Sequence, residues 1–472
     1  MRMIYLKNIS LWVACSFFLL GLSSCAKTPN TYDGVSFDPP YSAPVSMESI
    51  IESQHLRPTN IGYLLHDLTT GAVRSSANAN NIFIPASTAK LFTGFAALKI
   101  LGGDYRFQTK LCANGGDLYL VGGGDPSLKI EDLMDMSIRL ADIDHGPYRN
   151  FYYDDSRYPK INHVEESQPA DAYYNPSVSA LSTKDALLLI NWQRFENTNK
   201  VFLYQSPSLA PASAEVSTDW LLDLDVGDKG QSRFPLKDPA QHTANLFQLF
   251  ADRNGVILGA GTSKVLNQKC DDPLVIHESL PLKNLVKALF ETSSNLQAEL
   301  IGLAVARKLG KNPKNLKQSA DELAKWYRAE FPDEDWAELY LENHSGLSIK
   351  TRISPSHMVA LLTYGKAELL PLMPISGWKG WLKKRLQTPD VSLRVWAKTG
   401  AVNYGIGLAG YLYSKSEKPM AFTIFVNELN KREIYDFLTE EDKTLAGSKA
   451  SEWNGQAKRT IDEIVRLWVY RN

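Results

Sequence analysis

The chain has 472 residues, of which 44% are hydrophobic, 22% are charged and 10% are aromatic. These values are typical of a globular protein and exclude disorder along the whole chain, a collagen-like repeat and a coiled coil. Lys plus Arg number 51 and Asp plus Glu number 52. Such a near-neutral chain has no electrostatic reason to bind nucleic acid. At roughly 100–200 residues per domain, the length allows two to four domains.

Residues 1–24 have the pattern of an export signal. Two basic residues precede an apolar run over residues 11–22, which is shorter than the roughly 20 residues that span a bilayer. The run ends in Leu-Ser-Ser-Cys at residues 22–25, which looks like a bacterial lipobox, whose cysteine takes the lipid and becomes the mature N-terminus. We therefore predict a lipoprotein signal peptide and lipidation of Cys25; an ordinary secretory signal with an incidental cysteine is the alternative.

The segment after the signal is predicted to be a tether. Residues 25–44 contain four prolines and no apolar periodicity. The two residues that follow Cys25 are Ala and Lys rather than Asp, which favours sorting of a lipoprotein to the outer membrane. The sequence thus predicts an exported protein in the periplasm, held by a lipid anchor.

The first strong structural signals come soon after the tether. Residues 61–68 predict a strand that turns at Thr70-Gly71 into a second strand. Residues 87–100 predict an apolar-rich helix that ends at two glycines, and residues 118–121 a short strand. Residues 127–280 mix short strands, helices and polar loops without a strong signal.

The last third of the chain predicts helices and then an antiparallel meander. The meander consists of three strand-like runs at residues 392–399, 406–413 and 420–427, separated by short gaps. The final helix has one apolar face, formed by Ile461, Ile464, Val465 and Trp468. That spacing indicates that the helix packs on a sheet.

Ser87 and Lys90 form a Ser-x-x-Lys motif at the start of the first strong helix. Residues at i and i+3 share one helical face, so the lysine can reach the serine. A serine hydroxyl becomes a good nucleophile when a base takes its proton, and a buried lysine of lowered pKa is such a base. A capping serine beside a surface lysine is the alternative interpretation.

Two further motifs follow in the chain. Ser293-Ser294-Asn295 lies in a break between two helices, where a hydroxyl and an amide could relay a proton and hold a peptide backbone. Lys398-Thr399-Gly400 ends the predicted strand 394–399 and could place a cation and a hydroxyl beside the nucleophile. A polar helix cap and a strand ending at a turn are the respective alternatives. Each motif is weak alone, but the ordered trio is the set found in β-lactamases and penicillin-binding proteins.

The sequence resembles the class C low-molecular-mass penicillin-binding proteins, the D-Ala-D-Ala carboxypeptidase/endopeptidase family. The resemblance extends along most of the mature chain, through the segments 83–90, 123–126, 152–156, 179–182, 345–348 and 398–400. It implies an α/β (α+β type) fold, with a β-lactamase/transpeptidase-like domain whose central antiparallel sheet is flanked by helices. The family has an inserted region between the first two motifs, which accounts for the 206 residues from Ser87 to Ser293.

The spacing and the resemblance together predict the domains. Residues 45–110 and 275–472 would form the discontinuous catalytic domain, and residues 111–274 an inserted mainly-β or mixed region. Cys112 and Cys270 flank that insertion, so we predict that they pair, with two free buried thiols as the alternative.

The resemblance also implies the mechanism and the partners. Ser87 would attack the D-Ala-D-Ala carbonyl of a peptidoglycan peptide, with Lys90 as base and the oxyanion on the N–H groups of Ser87 and Ala401. Ser293 with Lys398 would pass a proton to the departing D-alanine, while Asn295, Thr399 and Gly400 would hold substrate. β-Lactams would be covalent inhibitors, and neither a cofactor nor a metal is expected. A β-lactamase-like hydrolase and a non-catalytic peptidoglycan-binding lipoprotein are the alternatives.

Three positions depart from the family pattern. Ser294 stands where the family usually has Asp, and Asn343-His344 stands where it has Asp-Gly before Ser-Gly-Leu-Ser. Ala401 follows Lys-Thr-Gly where a Ser or Thr is common. The last change removes a hydroxyl that could bind the terminal carboxylate of the substrate.

Overall fold

The structure is a computed structural model that describes residues 46–143, 146–194, 201–205, 227–438 and 440–472. The predicted signal peptide, the lipidation site Cys25 and the tether lie outside the described residues. Among the helices that are described, none is long and apolar enough to cross a membrane.

The strands of the described residues, in chain order, are β1 (Ile61–Asp67), β2 (Val73–Ala77), β3 (Gln108–Asn114), β4 (Asp117–Val121), β5 (Phe151–Asp154), β6 (Leu187–Arg194), β7 (Val201–Gln205), β8 (Lys229–Pro235), β9 (Thr262–Ser263), β10 (Val275–Glu278), β11 (Val395–Val402), β12 (Gly405–Tyr413) and β13 (Pro419–Asn427). The α-helices are α1 (Met47–Ser53), α2 (Lys90–Ile100), α3 (Ile130–Ile143), α4 (Pro239–Arg253), α5 (Leu282–Thr292), α6 (Asn295–Lys308), α7 (Leu316–Glu330), α8 (Pro355–Tyr364), α9 (Lys366–Leu369), α10 (Leu429–Asp436) and α11 (Glu440–Arg471).

The two ends of the chain meet in the first sheet. Its order is β11-β12-β13-β1-β2, and its neighbouring strands are antiparallel. The predicted opening strand and the predicted meander are therefore confirmed. Both ends of the first predicted run differ: β11 begins at Val395 rather than at residue 392, and it continues to Val402. Lys398-Thr399-Gly400 therefore lies inside the strand and does not end it. The continuation is held by pairing of Ala401 and Val402 with Ile406 and Gly405.

Helices cover both faces of this sheet. On one face α11 buries its predicted apolar residues, Ile461, Ile464, Val465 and Trp468, against β12 and β13. On the other face α8 packs on β13 and β1. Behind it lies α2, which is apolar nearly all round because α5, α6 and α7 enclose it. Tyr327 of α7 fixes this packing: its buried hydroxyl donates to the carbonyl of Phe92 at 2.7 Å.

The region between β2 and α5 builds two smaller sheets, which the sequence left without a strong prediction. One has the order β10-β3-β4-β5-β9 and packs its apolar side chains with those of α3 and α4. A disulfide joins Cys112 on β3 to Cys270, with the two Cα atoms 6.0 Å apart, so the predicted pairing is confirmed. The other sheet has the order β7-β6-β8.

Candidate active site

Ser87 lies on a tight turn that is held in place by the first sheet. It belongs to the single 3-10 turn Ala86–Ala89, which leads directly into α2. The turn is fixed from β13, because Asn427 accepts a hydrogen bond from the N–H of Ile84 at 2.6 Å and donates to its carbonyl at 3.2 Å. Ala86 has a φ of +48°, a conformation that is costly for a residue with a Cβ. The surrounding contacts thus hold the turn in a defined conformation, with the backbone strain at Ala86, next to the serine.

Lys90 is fully buried directly behind Ser87. Its Nζ lies 2.7 Å from Ser87 Oγ, 2.7 Å from Asn295 Oδ1 and 2.8 Å from the carbonyl oxygen of Ser345. Burial, and then the nearby Lys398, lower the pKa of Lys90 well below its ordinary value, whereas Glu299 raises it.

The lowered pKa favours the neutral amine of Lys90, and the three contacts accommodate that form. A neutral amine has two N–H donors and one lone pair. The carbonyl oxygens of Asn295 and Ser345 can only accept, so they take the two N–H groups. The lone pair of Lys90 is then left for the hydroxyl proton of Ser87. This is the arrangement that the Ser-x-x-Lys motif predicts, and the role of Lys90 as a base stays a prediction.

The second motif bridges two helices beside the nucleophile. Ser293 ends α5 with a φ of +64°, a left-handed conformation that turns the chain into α6. Its Oγ accepts a hydrogen bond from Lys398 Nζ at 2.9 Å. Both polar atoms of the Asn295 amide have partners. Its Oδ1 accepts from Lys90 Nζ, and its Nδ2 donates to the carbonyl of Tyr174 at 2.7 Å.

Lys398 brings the third motif to the same point. It is fully buried, and its Nζ also donates to the carbonyl of Thr399 at 2.8 Å. Burial lowers the pKa of Lys398 to about 7. Gly400 lies against the serine turn, where a Cβ would stand 2.5 Å from the carbonyl oxygen of Pro85 and 3.0 Å from the amide nitrogen of Ser87. Glycine is thus required by the close approach of the turn itself.

Glu299 is a buried charged group that the motifs did not predict. It lies one turn after Asn295 on α6 and accepts the N–H groups of His344 at 3.0 Å and Ser345 at 2.8 Å. Burial raises the pKa of Glu299 to about 7, while these hydrogen bonds and Lys90 oppose the rise. A single acidic residue in the otherwise apolar stretch 298–306 was the available signal, because such a residue is seldom buried without a partner.

The departures from the family pattern have visible structural consequences. Ser294 caps α6 and donates to Asp185 at 2.9 Å, so a carboxylate lies beside this position although the residue itself is not acidic. His344 is buried against Gly302 and lies 2.8 Å from Ser319 Oγ; burial lowers its pKa to about 3. The neutral ring therefore occupies its position without adding a charge. Ala401 offers only a methyl group to the cleft.

The motifs open into one cavity of about 1110 Å³. Its lining includes members of all three motifs, namely Ser87, Ser293, Asn295, Thr399, Gly400 and Ala401. Residues that the motifs did not predict also line it, among them Tyr173, Tyr174, Asp185, Arg233, Arg385 and Lys458. The structure thus brings together every predicted catalytic and substrate-binding residue, with Lys90 and Lys398 buried beneath the floor.

The protein has an antiparallel sheet flanked by helices, and a serine lies beside two buried lysines at the edge strand of that sheet. This combination defines the class of the β-lactamase and transpeptidase-like serine enzymes. Comparison with known proteins gives the family. The chain belongs to the D-Ala-D-Ala carboxypeptidase 3 (S13) family, whose model matches residues 44–211 and 227–445. The family and fold class predicted from the sequence are confirmed.

Individual relatives match over most of their length. The D-alanyl-D-alanine carboxypeptidase of Actinomadura sp. strain R39 is 25% identical over 81% of this chain and 80% of its own. The D-alanyl-D-alanine carboxypeptidase DacB of Haemophilus influenzae is 23% identical over 83% of this chain and 90% of its own. The crystal structure of penicillin-binding protein 4 from H. influenzae has a TM-score of 0.68 at 20% identity, covering 81% of this chain and 93% of that one.

Proposed function

We propose that the protein is a serine D-Ala-D-Ala carboxypeptidase that also has endopeptidase activity on peptidoglycan stem peptides. The observation that supports this most directly is the buried Lys90, whose lone pair is left for Ser87 by two carbonyl acceptors. The family and the named carboxypeptidase relatives agree with that chemistry. Cross-linked peptides have the same shape around the scissile bond, so they are substrates of the same site.

Acylation begins at Ser87. Its Oγ attacks the carbonyl carbon of the penultimate D-alanine, and its proton passes to Lys90 Nζ, 2.7 Å away. The developing oxyanion accepts hydrogen bonds from the N–H groups of Ser87 and Ala401. The amide of Asn295 and the backbone of β11 hold the peptide in place.

Collapse of the tetrahedral intermediate releases D-alanine. Ser293 gives its hydroxyl proton to the leaving amine and takes one back from Lys398, which lies 2.9 Å from it. The proton that Lys90 took from Ser87 replaces, through solvent, the one that Lys398 gave up, so Lys90 is neutral again. Water then attacks the acyl ester and gives a proton to Lys90, which returns it to Ser87 Oγ as the ester bond breaks and the shortened peptide leaves. A β-lactam acylates Ser87 in the same way and, on this proposal, leaves slowly.

Labelling with a fluorescent penicillin tests the assignment. The wild-type protein should form a covalent adduct, and Ser87→Ala should form none while keeping its melting temperature. Labelling that survives the substitution would exclude Ser87 as nucleophile, and absence of labelling in the wild type would favour a non-catalytic lipoprotein. Fast steady-state turnover of penicillin would instead identify a β-lactamase.

We also propose export to the periplasm and a lipid anchor at Cys25, supported by the residue pattern of the first 25 positions. The Cys25→Ala variant should be found in the soluble fraction after cell fractionation, and it should no longer partition into the detergent phase. A variant that stays in the membrane fraction would point to a different anchor.

The domain division remains a proposal as well. The separate sheets of the region between β2 and α5 support an inserted region at residues 111–274. The five-stranded sheet of this region extends slightly past both bounds, since β3 begins at Gln108 and β10 ends at Glu278.

A further inference from the structure

The two faces of β11 are turned toward different parts of the molecule. A Cβ on Gly400 would point at the turn that carries Ser87, 3.0 Å from its amide nitrogen. Side chains alternate along a strand, so Thr399 and Ala401 face the opposite side. Ala397, which has the same parity, packs in the apolar core that α11 forms. Thr399 and Ala401 thus face the α11 side and line the cavity.

Helix α11 is fixed to the end of this strand. Asn454 accepts the N–H of Tyr404 at 3.1 Å and donates to the carbonyl of Val402 at 3.2 Å. Lys458 follows four residues later, one helical turn along the same face of α11. Asn454 and Lys458 both line the cavity, together with Arg385.

This wall of the cavity carries an excess of positive charge. Arg385 binds Asp462 through both its Nε and its Nη2, at 3.1 Å and 2.7 Å. Lys458 has no hydrogen bond or ion pair with any residue that the structure describes. Partial burial, and then the nearby Arg385, lower the pKa of Lys458, while Asp462 raises it. Two cations therefore share one carboxylate at this wall.

A carboxylate bound beside Thr399 needs such a cation. Ala401 offers no hydroxyl to it. The ammonium of Lys398 is already engaged with Ser293 and with the carbonyl of Thr399. The unpartnered Lys458 lies on the same side of β11 as Thr399, and its four-carbon stem is flexible.

We propose that Lys458, held beside Arg385, binds the terminal carboxylate of the substrate's leaving D-alanine. The inference rests on the proposed carboxypeptidase function and assigns to α11 a residue that reads the C-terminal charge. It predicts that the enzyme distinguishes a free carboxylate from a neutral amide through a helix that carries none of the three motifs.

The test compares two peptides, one ending in D-Ala-D-Ala with a free carboxylate and the other with a C-terminal amide. The quantity measured is the ratio of their kcat/KM values. Lys458→Met should lower this ratio roughly 10- to 100-fold, the range expected for a lost hydrogen bond to a charged group. Lys458→Arg keeps the charge and should restore most of the ratio. Lys449→Met is the matched control, because Lys449 is exposed on the same helix and lies outside the cavity.

Each result has a defined meaning. A ratio in Lys458→Met equal to that of the wild type overturns the inference, as does an equal fall in Lys449→Met. If Lys458→Met has a lower melting temperature, Lys458→Gln replaces it in the same comparison. A wild-type protein that cleaves neither peptide and takes no penicillin label refutes the proposed function itself. An active wild type with an unchanged ratio refutes only the role of Lys458.

Discussion

Gly400→Ala tests whether contact between β11 and the nucleophile turn sets the geometry of the site. The alanine Cβ would stand 2.5 Å from the carbonyl oxygen of Pro85 and 3.0 Å from the amide nitrogens of Ser87 and Thr88. All three are backbone atoms, so no side chain can rotate away to relieve the contact. Either the strand or the turn has to move.

The size of that movement follows from the distances. Ordinary contact begins at 3.4 Å, so the carbonyl of Pro85 and the strand must separate by about 0.9 Å. A misplacement of about 1 Å at a reacting centre lowers the rate on the order of 10²-fold. Overpacking at a tight contact also lowers the free energy of unfolding by roughly 1–3 kcal/mol. We expect both effects in Gly400→Ala.

Two measurements check this expectation: the acylation rate with a fluorescent penicillin and the free energy of unfolding in urea. Gly447→Ala is the control, since Gly447 lies in α11 and a Cβ there meets nothing within 4 Å. That variant should acylate normally and gain roughly 0.5–1 kcal/mol of stability. Acylation at the wild-type rate in Gly400→Ala would refute the argument that this contact positions Ser87.

Two further predictions concern buried groups. Glu299→Gln removes a negative charge, which should lower the pKa of Lys90. Because only the neutral amine accepts a proton, the acid limb of the pH–rate profile for acylation should then move to lower pH. The same variant leaves one backbone N–H without an acceptor, which should cost roughly 1–3 kcal/mol in urea unfolding; an acid limb that moves to higher pH would contradict the reasoning. The double variant Cys112→Ser/Cys270→Ser should lose roughly 2–5 kcal/mol of unfolding free energy, and the denatured, unreduced wild type should show no free thiol from this pair.

The sequence predicted the parts of the fold whose signals are local. The strands β12 and β13 are runs of β-branched, aromatic and small residues separated by short gaps, so their pairing needs only a tight connection. The apolar spacing of α11 likewise specifies which face it buries. The three motifs could be placed in space because a helix start, a helix break and a strand each constrain the side chains that they carry.

The middle of the chain could not be predicted because its contacts are distant or short. Strand β10 pairs with β3 across more than 150 residues, and β9 has only two residues. Neither leaves a periodic pattern. The cleft residues Arg385 and Lys458 were missed for a different reason: in sequence, a cleft cation on an amphipathic helix or loop is indistinguishable from an ordinary surface charge.

Residues of the proposed insertion, 111–274, also take part in the site. Asn295 donates to the carbonyl of Tyr174, and Ser294 donates to Asp185. Both partners precede α5 by more than 90 residues. Asn295 is thus held between Lys90 on one side and the inserted region on the other. The same amide that contacts Lys90 is held by the carbonyl of Tyr174. Removal of the proposed insertion would therefore release Asn295. Lys90 would then lose one of the two carbonyl acceptors that, on the proposed mechanism, leave its lone pair directed at Ser87.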